Sequence, residues 1–260
     1  MTDRRPTQRF TSRVEDYVRY RPDYPAAIIP LLKSELGLVT DWVIADIGSG
    51  PGNLTRLFLD SGLRVIGVEP NEAMREAGER LMADYPQFVS ISGSAEATSL
   101  PDESVDLITA GQAFQWFEPS AARTEFQRIL RGPGWVVLIW NKRPEGSAPI
   151  LDAWDDMLHR YSTEYEAVRN RDDRAEAGMK ILFGKSGYRM FTFPHDQVLD
   201  AAAFWGRLIS SSYTPLPGEP GHGEIKKRSQ EIFDQFALEG VVRFPYETRV
   251  FVGKIRDESA

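Results

Sequence analysis

The feature that most constrains the fold is a regular alternation of short apolar runs and helical stretches between residues 42 and 140. Several runs are continuously apolar and rich in valine and isoleucine, which is typical of strands buried on both faces. Alternation of strand and helix predicts a parallel sheet with helices on both faces, and right-handed crossovers place a ligand along one edge. The predicted strands are residues 42–47, 64–69, 88–92, 105–110 and 135–140.

The stretches between these runs carry apolar residues at helical spacing, and Asn71 stands where a helix N-cap is expected. The flanking segments lack this alternation of apolar runs and helical stretches. We predict an N-terminal arm of cap helices over residues 1–40, a core of residues 41–142 and 241–260, and a helical insertion with one strand over residues 143–240. Together they should form a single compact domain. Within the insertion we expect helices at residues 149–174 and 200–211, a strand at 189–194 and a loop at 214–223.

Composition excludes several classes of function. The formal charge of −7 disfavours a nucleic-acid partner. The absence of cysteine excludes thiolate chemistry and fits the cytoplasm. No apolar run approaches the ~20 residues that span a bilayer, so we expect no membrane partner. The three histidines are not accompanied in the sequence by other residues in a metal-ligand pattern, so we expect no metal.

Three glycines, Gly48, Gly50 and Gly52, stand where the first predicted strand turns into a helix. Without a Cβ they let a ligand approach the backbone, and the free amides of the helix start favour an anion. Glu69 ends the next strand, where an acid can accept both hydroxyls of a ribose. These features predict a nucleoside cofactor. A dinucleotide fingerprint needs a further glycine where this chain has Asn53, so the loop is less suited to a dinucleotide.

Five motifs follow one another in order: YRPDYP at residues 20–25, ADIGSGPGNLT at 45–55, VIGVEPNEAM at 65–74, GSAE with LPDESVDLI at 93–108, and QAFQWF at 112–117. In these motifs the chain resembles the class I S-adenosylmethionine-dependent methyltransferases, within them the small-molecule type 11 and trans-aconitate methyltransferase-like group. The resemblance covers most of the chain and is strongest from residue 46 to residue 140. The predicted fold is an α/β, Rossmann-like, doubly wound and mostly parallel sheet of seven strands, with a final antiparallel strand and a helical cap.

The resemblance implies S-adenosyl-L-methionine as cofactor and a methyltransferase activity on a small-molecule acceptor, carboxylates included. It implies that the glycine loop holds the methionine end, that Glu69 binds the ribose, and that residues after the second and third strands bind the adenine. Tyr17, Tyr20 and Arg21 would close over the cofactor. The full set of implied cofactor residues is Tyr17, Tyr20, Arg21, Asp46, Gly48, Ser49, Gly50, Gly52, Glu69, Pro70, Met74, Ala95, Glu96 and Gln112.

The acceptor should contact Trp116 and the insertion, where Arg207 would suit an acidic group. The candidates are Trp116, Trp205, Arg207, Ser211 and Tyr213. No catalytic residue is assigned, although Gln115 and His195 are candidates. Many relatives have a histidine at the position of Gln115. A glutamine cannot titrate, so it cannot replace a histidine as a base. A nicotinamide-dependent oxidoreductase and a non-catalytic protein that binds S-adenosylmethionine remain open, as does a monomer or a homodimer.

Overall fold

A seven-stranded sheet forms the centre of the molecule. The computed structural model describes residues 13–144, 146, 148–162 and 165–256. The strands of the sheet are β1 (Val43–Ile47), β2 (Arg64–Val68), β3 (Phe88–Ile91), β4 (Val105–Gly111), β5 (Leu130–Lys142), β6 (Tyr188–Pro194) and β9 (Glu247–Lys254). Their order is β3-β2-β1-β4-β5-β9-β6, and β9 runs antiparallel to both of its neighbours. The predicted fold class is therefore confirmed.

Helices cover both faces of this sheet, and further helices form a separate cap. They are α1 (Val14–Tyr20), α2 (Ile28–Leu36), α3 (Asn53–Leu59), α4 (Glu72–Leu81), α5 (Pro119–Ile129), α6 (Pro149–Tyr161), α7 (Tyr165–Phe183), α8 (Ala201–Ile209) and α9 (His222–Phe236). Adjacent residues of β1 serve opposite faces: Ile44 joins the apolar cluster of α2 and α3, and Ala45 joins the cluster of α5 and α7. This two-sided burial explains why the strands lack polar alternation. Asn71 caps α4 as predicted, accepting from the Met74 backbone N–H at 3.0 Å.

The helices and strands within residues 143–240 pack in two different places. The strand β6 is an edge strand of the main sheet, and α7 packs against α5 in the core. The helices α6, α8 and α9 build an apolar cluster apart from those of the sheet, and it is centred on Trp154, Phe204 and Phe244. That cap also contains a two-stranded ladder of β7 (Gln197–Leu199) and β8 (Val242–Phe244), which the prediction divided between the insertion and the core.

The sequence analysis missed α9, whose first residues fall inside the predicted loop at 214–223. The basic residues Lys226 and Lys227 lie exposed on this helix. Within the described ranges, the helices are all too short or too polar to cross a bilayer.

Candidate functional site

The glycine loop lies between the carboxyl ends of β1 and β2. The backbone N–H groups of Gly48 and Ser49 donate to the Val68 carbonyl at 2.8 and 3.3 Å. Gly48 has a φ of +68°, and a Cβ there would lie 2.7 Å from the Cβ of Ala113. At Gly50, with a φ of +56°, a Cβ would meet nothing within 4 Å. The loop is therefore too closely packed for a side chain at Gly48, whereas at Gly50 there is space for one.

A pocket of about 240 Å³ opens beside this loop, at the carboxyl ends of β1, β2 and β4. It lies at the sheet edge that the strand alternation predicted. Small-molecule sites typically enclose ~300–1,000 Å³. At about 240 Å³ this pocket lies just below that range, so it has room for one small ligand. The residues implied as cofactor contacts that line it are Tyr17, Asp46, Gly48, Ser49, Gly50, Glu69, Pro70, Met74, Ala95, Glu96 and Gln112.

Glu69 ties the glycine loop to the start of α4. Its Oε2 accepts from the Gly50 backbone N–H at 2.9 Å, and its Oε1 accepts from the Asn71 N–H at 2.8 Å. The residue is only 8% exposed, and burial raises its pKa. An ionised carboxylate has about four lone-pair sites, so two acceptor positions remain for a ligand in the pocket that Glu69 lines.

Asp46 is a second buried carboxylate beside the loop. It is 1% exposed and accepts from the hydroxyls of Thr55 at 2.7 Å and Thr109 at 3.0 Å. Burial raises its pKa to about 6, an effect that the two hydroxyls only partly offset. Asp46 therefore places a carboxylate that titrates in the mildly acidic range at the glycine-loop end of the pocket.

Gln112 directly follows β4 and has the left-handed φ of +55°, which is uncommon for a residue with a side chain. Its backbone N–H donates to the Ile139 carbonyl at 2.9 Å, and its Nε2 donates to the Asn141 carbonyl at 3.0 Å. Both bonds reach β5, so the neighbouring strand holds Gln112 in this conformation. Backbone strain of this kind is common at ligand sites.

The comparisons with known proteins agree with this geometry. The family model described as a methyltransferase domain matches residues 45–138, which contain the glycine loop, Glu69 and Gln112. Residues 45–138 belong to the methyltransferase domain family.

Relatives of this methyltransferase domain occur in bacteria and yeast. An uncharacterised methyltransferase of Mycobacterium tuberculosis is 36% identical over 143 residues, which are 52% of this chain and 53% of that protein. One of Schizosaccharomyces pombe is 34% identical over 152 residues, or 58% of this chain and 59% of that protein. The chain thus spans a little over half the length of these curated relatives.

Solved structures share the fold at low sequence identity. A protein of Anaeromyxobacter dehalogenans assigned as a type II methyltransferase has a TM-score of 0.65 at 21% identity, over 92% of this chain and 100% of that one. A protein of Methanococcus maripaludis assigned as an S-adenosyl-L-methionine-dependent methyltransferase has a TM-score of 0.54 at 21% identity, over 74% and 91% of the two chains.

Three residues expected to contact a cofactor lie outside the pocket of the methyltransferase domain. Gly52 is the N-cap residue of α3 and has a φ of +95°. The ring of Tyr20 fills the space that a Cβ on Gly206 would need, with an atom 2.3 Å from that position, so it docks α1 on α8. Arg21 stacks on the ring of Tyr17, with its Cζ 5.0 Å from the centroid. In this structure the three residues hold packing and supporting positions, and their contact with a cofactor stays a prediction.

Both catalytic candidates also lie outside the pocket. The Nε2 of Gln115 donates to the Gln112 carbonyl at 2.8 Å, and its amide oxygen accepts from the Trp140 Nε1 at 3.1 Å. Gln115 therefore supports the backbone of Gln112. The imidazole of His195 lies 2.9 Å from the Asp23 carboxylate and lowers the pKa of that group. It joins the N-terminal arm to the segment after β6.

We expect Gln115→Leu to reduce the free energy of unfolding by about 1–3 kcal/mol, because the buried Trp140 N–H and the Gln112 carbonyl both lose a partner. Urea denaturation measures this change. Gln230→Leu on α9, where the amide donates to the exposed Asp234 carboxylate at 2.8 Å, is the matched control and should change stability by less than about 0.5 kcal/mol. Equal effects of the two substitutions would contradict the bridging role.

Of the acceptor candidates, only Trp116 lines the pocket. Trp205 packs instead against the ring of His222, at 5.7 Å between centroids. Arg207, Ser211 and Tyr213 form part of a polar group between α1 and α8, next to the pocket but outside its lining.

The sequence analysis missed Tyr24, which lines the pocket although it lies in the quoted YRPDYP motif. It is 8% exposed, and a Cβ on Gly111 would stand 2.5 Å from its hydroxyl. Burial raises the pKa of this phenol, so it stays neutral at physiological pH. The motif was the available signal, but nothing in it distinguishes a ring in the pocket from a ring in the core.

Proposed function

We propose that the protein transfers the methyl group of S-adenosyl-L-methionine to a small-molecule acceptor. The observation that carries the proposal is the Glu69 carboxylate, which is fixed by two backbone N–H groups and keeps acceptor capacity toward the pocket. Membership of residues 45–138 in the methyltransferase domain family gives the reaction class.

The nucleoside half of the cofactor fits the side of the pocket formed after β2 and β3. Glu69 would accept from both ribose hydroxyls. Met74 and Ala95 are buried and apolar and would pack on the adenine. The Glu96 Oε1 accepts from the Glu118 N–H at 2.8 Å, so its other oxygen remains for the exocyclic amine of the base.

The methionine half fits the other side, where charge complementarity favours a cation. Asp46 lies at this end of the pocket, and the rings of Tyr17 and Trp116 also line it. A carboxylate would attract the amino group of the ligand, and aromatic faces would attract a sulfonium. When bound, the cofactor supplies an activated methyl group. The protein contributes by holding the two reactants in line, an effect worth up to ~7–11 kcal/mol in oriented reactions.

We expect the affinity for S-adenosylhomocysteine to fall as the pH drops below about 6, the pKa of Asp46. A cation bound beside this carboxylate favours its ionised form, so protonation must oppose binding, by at most about tenfold per pH unit. Calorimetric titrations between pH 5 and pH 8 give the profile, which Asp46→Asn should flatten over about this range. Identical profiles for both proteins would remove Asp46 from this role.

Methyl transfer itself is tested by supplying S-adenosylmethionine with a panel of small acids, phenols and amines and measuring released S-adenosylhomocysteine. Turnover of at least one acceptor, dependent on Glu69, is the expected result. Tight binding of S-adenosylhomocysteine without turnover of any acceptor would favour a cofactor-binding protein. Binding of NADH in its place would favour an oxidoreductase.

A further inference from the structure

Three arginines from separate parts of the chain converge beside the pocket. Arg21 follows α1, Arg143 follows β5 and Arg207 lies on α8. Arg207 is 4% exposed, and the side chain of Arg143 is 20% exposed. Burying several like charges together is costly unless something compensates them.

Two of these guanidinium groups meet at one hydroxyl. The Nη2 of Arg21 lies 3.4 Å from the Oγ of Ser211, and the Nη1 of Arg207 lies 3.2 Å from the same atom. Arg21 also donates to the Ser210 carbonyl at 3.0 Å, and the Nε of Arg207 donates to the Tyr246 hydroxyl at 2.8 Å. All of these acceptors are neutral, so they satisfy hydrogen bonds without balancing the charge.

Negative charge near this cluster is scarce. In the described part of the chain, Asp155 is the carboxylate within salt-bridge distance, 3.1 Å from the Nη2 of Arg143, and its side chain is 38% exposed. The Tyr165 hydroxyl accepts from the same nitrogen at 2.9 Å. One partly solvated carboxylate leaves the cluster of three arginines with a net positive charge.

Two guanidinium N–H groups of the cluster are available as donors to a ligand. The Nε atoms of Arg21 and Arg143 are buried, and neither has a hydrogen-bond partner among the residues that the structure describes. Burial and the nearby Arg207 lower the pKa of Arg21 to about 10. Burial acts to raise the pKa of Tyr213, yet the guanidinium groups of Arg143, Arg207 and Arg21 together lower it. The lowered pKa of Tyr213 shows that this hydroxyl lies close to all three guanidinium groups.

The cluster borders the cofactor pocket through Tyr17, whose ring lines the pocket on one side and stacks with the Arg21 guanidinium on the other. We infer that Arg21, Arg143 and Arg207 form a subsite that binds a carboxylate or phosphate group of the methyl acceptor. Such a group would balance the buried positive charge and accept hydrogen bonds from the Nε–H groups of Arg21 and Arg143. The inference rests on the proposed function, since it assigns the acceptor's binding group.

The test uses the complex with S-adenosylhomocysteine, titrated calorimetrically at constant ionic strength with succinate, its neutral isostere succinamide and inorganic phosphate. We expect succinate or phosphate to bind and succinamide to show no binding; the responding anion identifies the preferred group. Arg207→Met and Arg21→Met should each weaken this binding by about tenfold or more, through loss of charge-assisted hydrogen bonds. S-adenosylhomocysteine affinity should stay within about twofold in Arg207→Met, which verifies its fold.

Arg19→Met is the matched control. Arg19 lies two residues from Arg21 and also stacks on a tyrosine ring, Tyr20, at 5.3 Å, but it is exposed. Its substitution should leave anion binding unchanged. The inference is overturned if neither anion binds better than succinamide, or if Arg19→Met and Arg207→Met lose binding equally. Failure to bind S-adenosylhomocysteine would instead count against the proposed function.

Discussion

Replacing Glu69 with alanine should weaken binding of S-adenosylhomocysteine by about 1–3 kcal/mol, or roughly five- to 150-fold. The substitution removes the acceptor proposed for the ribose hydroxyls. It also frees the Gly50 and Asn71 N–H groups that the carboxylate now holds at 2.9 and 2.8 Å, so the glycine loop loses its tie to α4. Calorimetry on the purified protein gives the change in affinity.

Two variants make this measurement specific. Glu69→Gln preserves the shape of the side chain and one acceptor oxygen. Its affinity for S-adenosylhomocysteine should therefore lie between the affinities of wild type and Glu69→Ala. Glu72→Gln changes the same charge three residues further along, on the exposed first turn of α4 outside the pocket, and should bind as wild type does. Unchanged affinity in Glu69→Ala would remove Glu69 from the ribose role.

Gly48→Ala should lower the free energy of unfolding by about 2–5 kcal/mol. The left-handed φ of +68° costs a residue with a Cβ ~1–2 kcal/mol, and the contact of 2.7 Å with the Cβ of Ala113 adds an overpacking cost of ~1–3 kcal/mol. Urea or thermal denaturation without ligand measures this loss.

Gly50→Ala provides the comparison within the same loop. It has a similar φ of +56° but no atom within 4 Å of the new Cβ, so only the conformational cost of ~1–2 kcal/mol applies. Because Gly50 lines the pocket, its methyl group should instead reduce S-adenosylhomocysteine affinity. If Gly48→Ala is no less stable than Gly50→Ala, the close contact of the new Cβ with Ala113 does not add the expected destabilisation.

The features that the sequence predicted depend on local patterns. Buried parallel strands appear as continuous apolar runs, and a turn with left-handed backbone selects glycine, so β1, Gly48 and the place of Glu69 could be recognised from short segments. The chain order of these segments then fixed the pocket at one sheet edge. The Asn71 cap was predictable for the same reason.

The features that the sequence analysis missed or misplaced depend on contacts between distant residues. Tyr20 fills space beside Gly206, and Gln115 bonds Trp140, pairings that no local pattern records. Likewise, Arg21 and Arg207 meet at Ser211 only because α1 docks on α8.

The omission of α9 has a different cause. Ile225, Ile232 and Phe233 are buried at helical spacing, so a signal existed, but the proline- and glycine-rich segment before them favoured a loop.

The central claim is that the pocket beside Glu69 binds S-adenosylmethionine, and the most direct measurement is calorimetric titration of the wild-type protein with S-adenosylhomocysteine and, separately, with NADH. We predict saturable one-to-one binding of S-adenosylhomocysteine that Glu69→Ala weakens, and no binding of NADH. Binding of NADH with none of S-adenosylhomocysteine, or binding of neither ligand by folded protein, would contradict it.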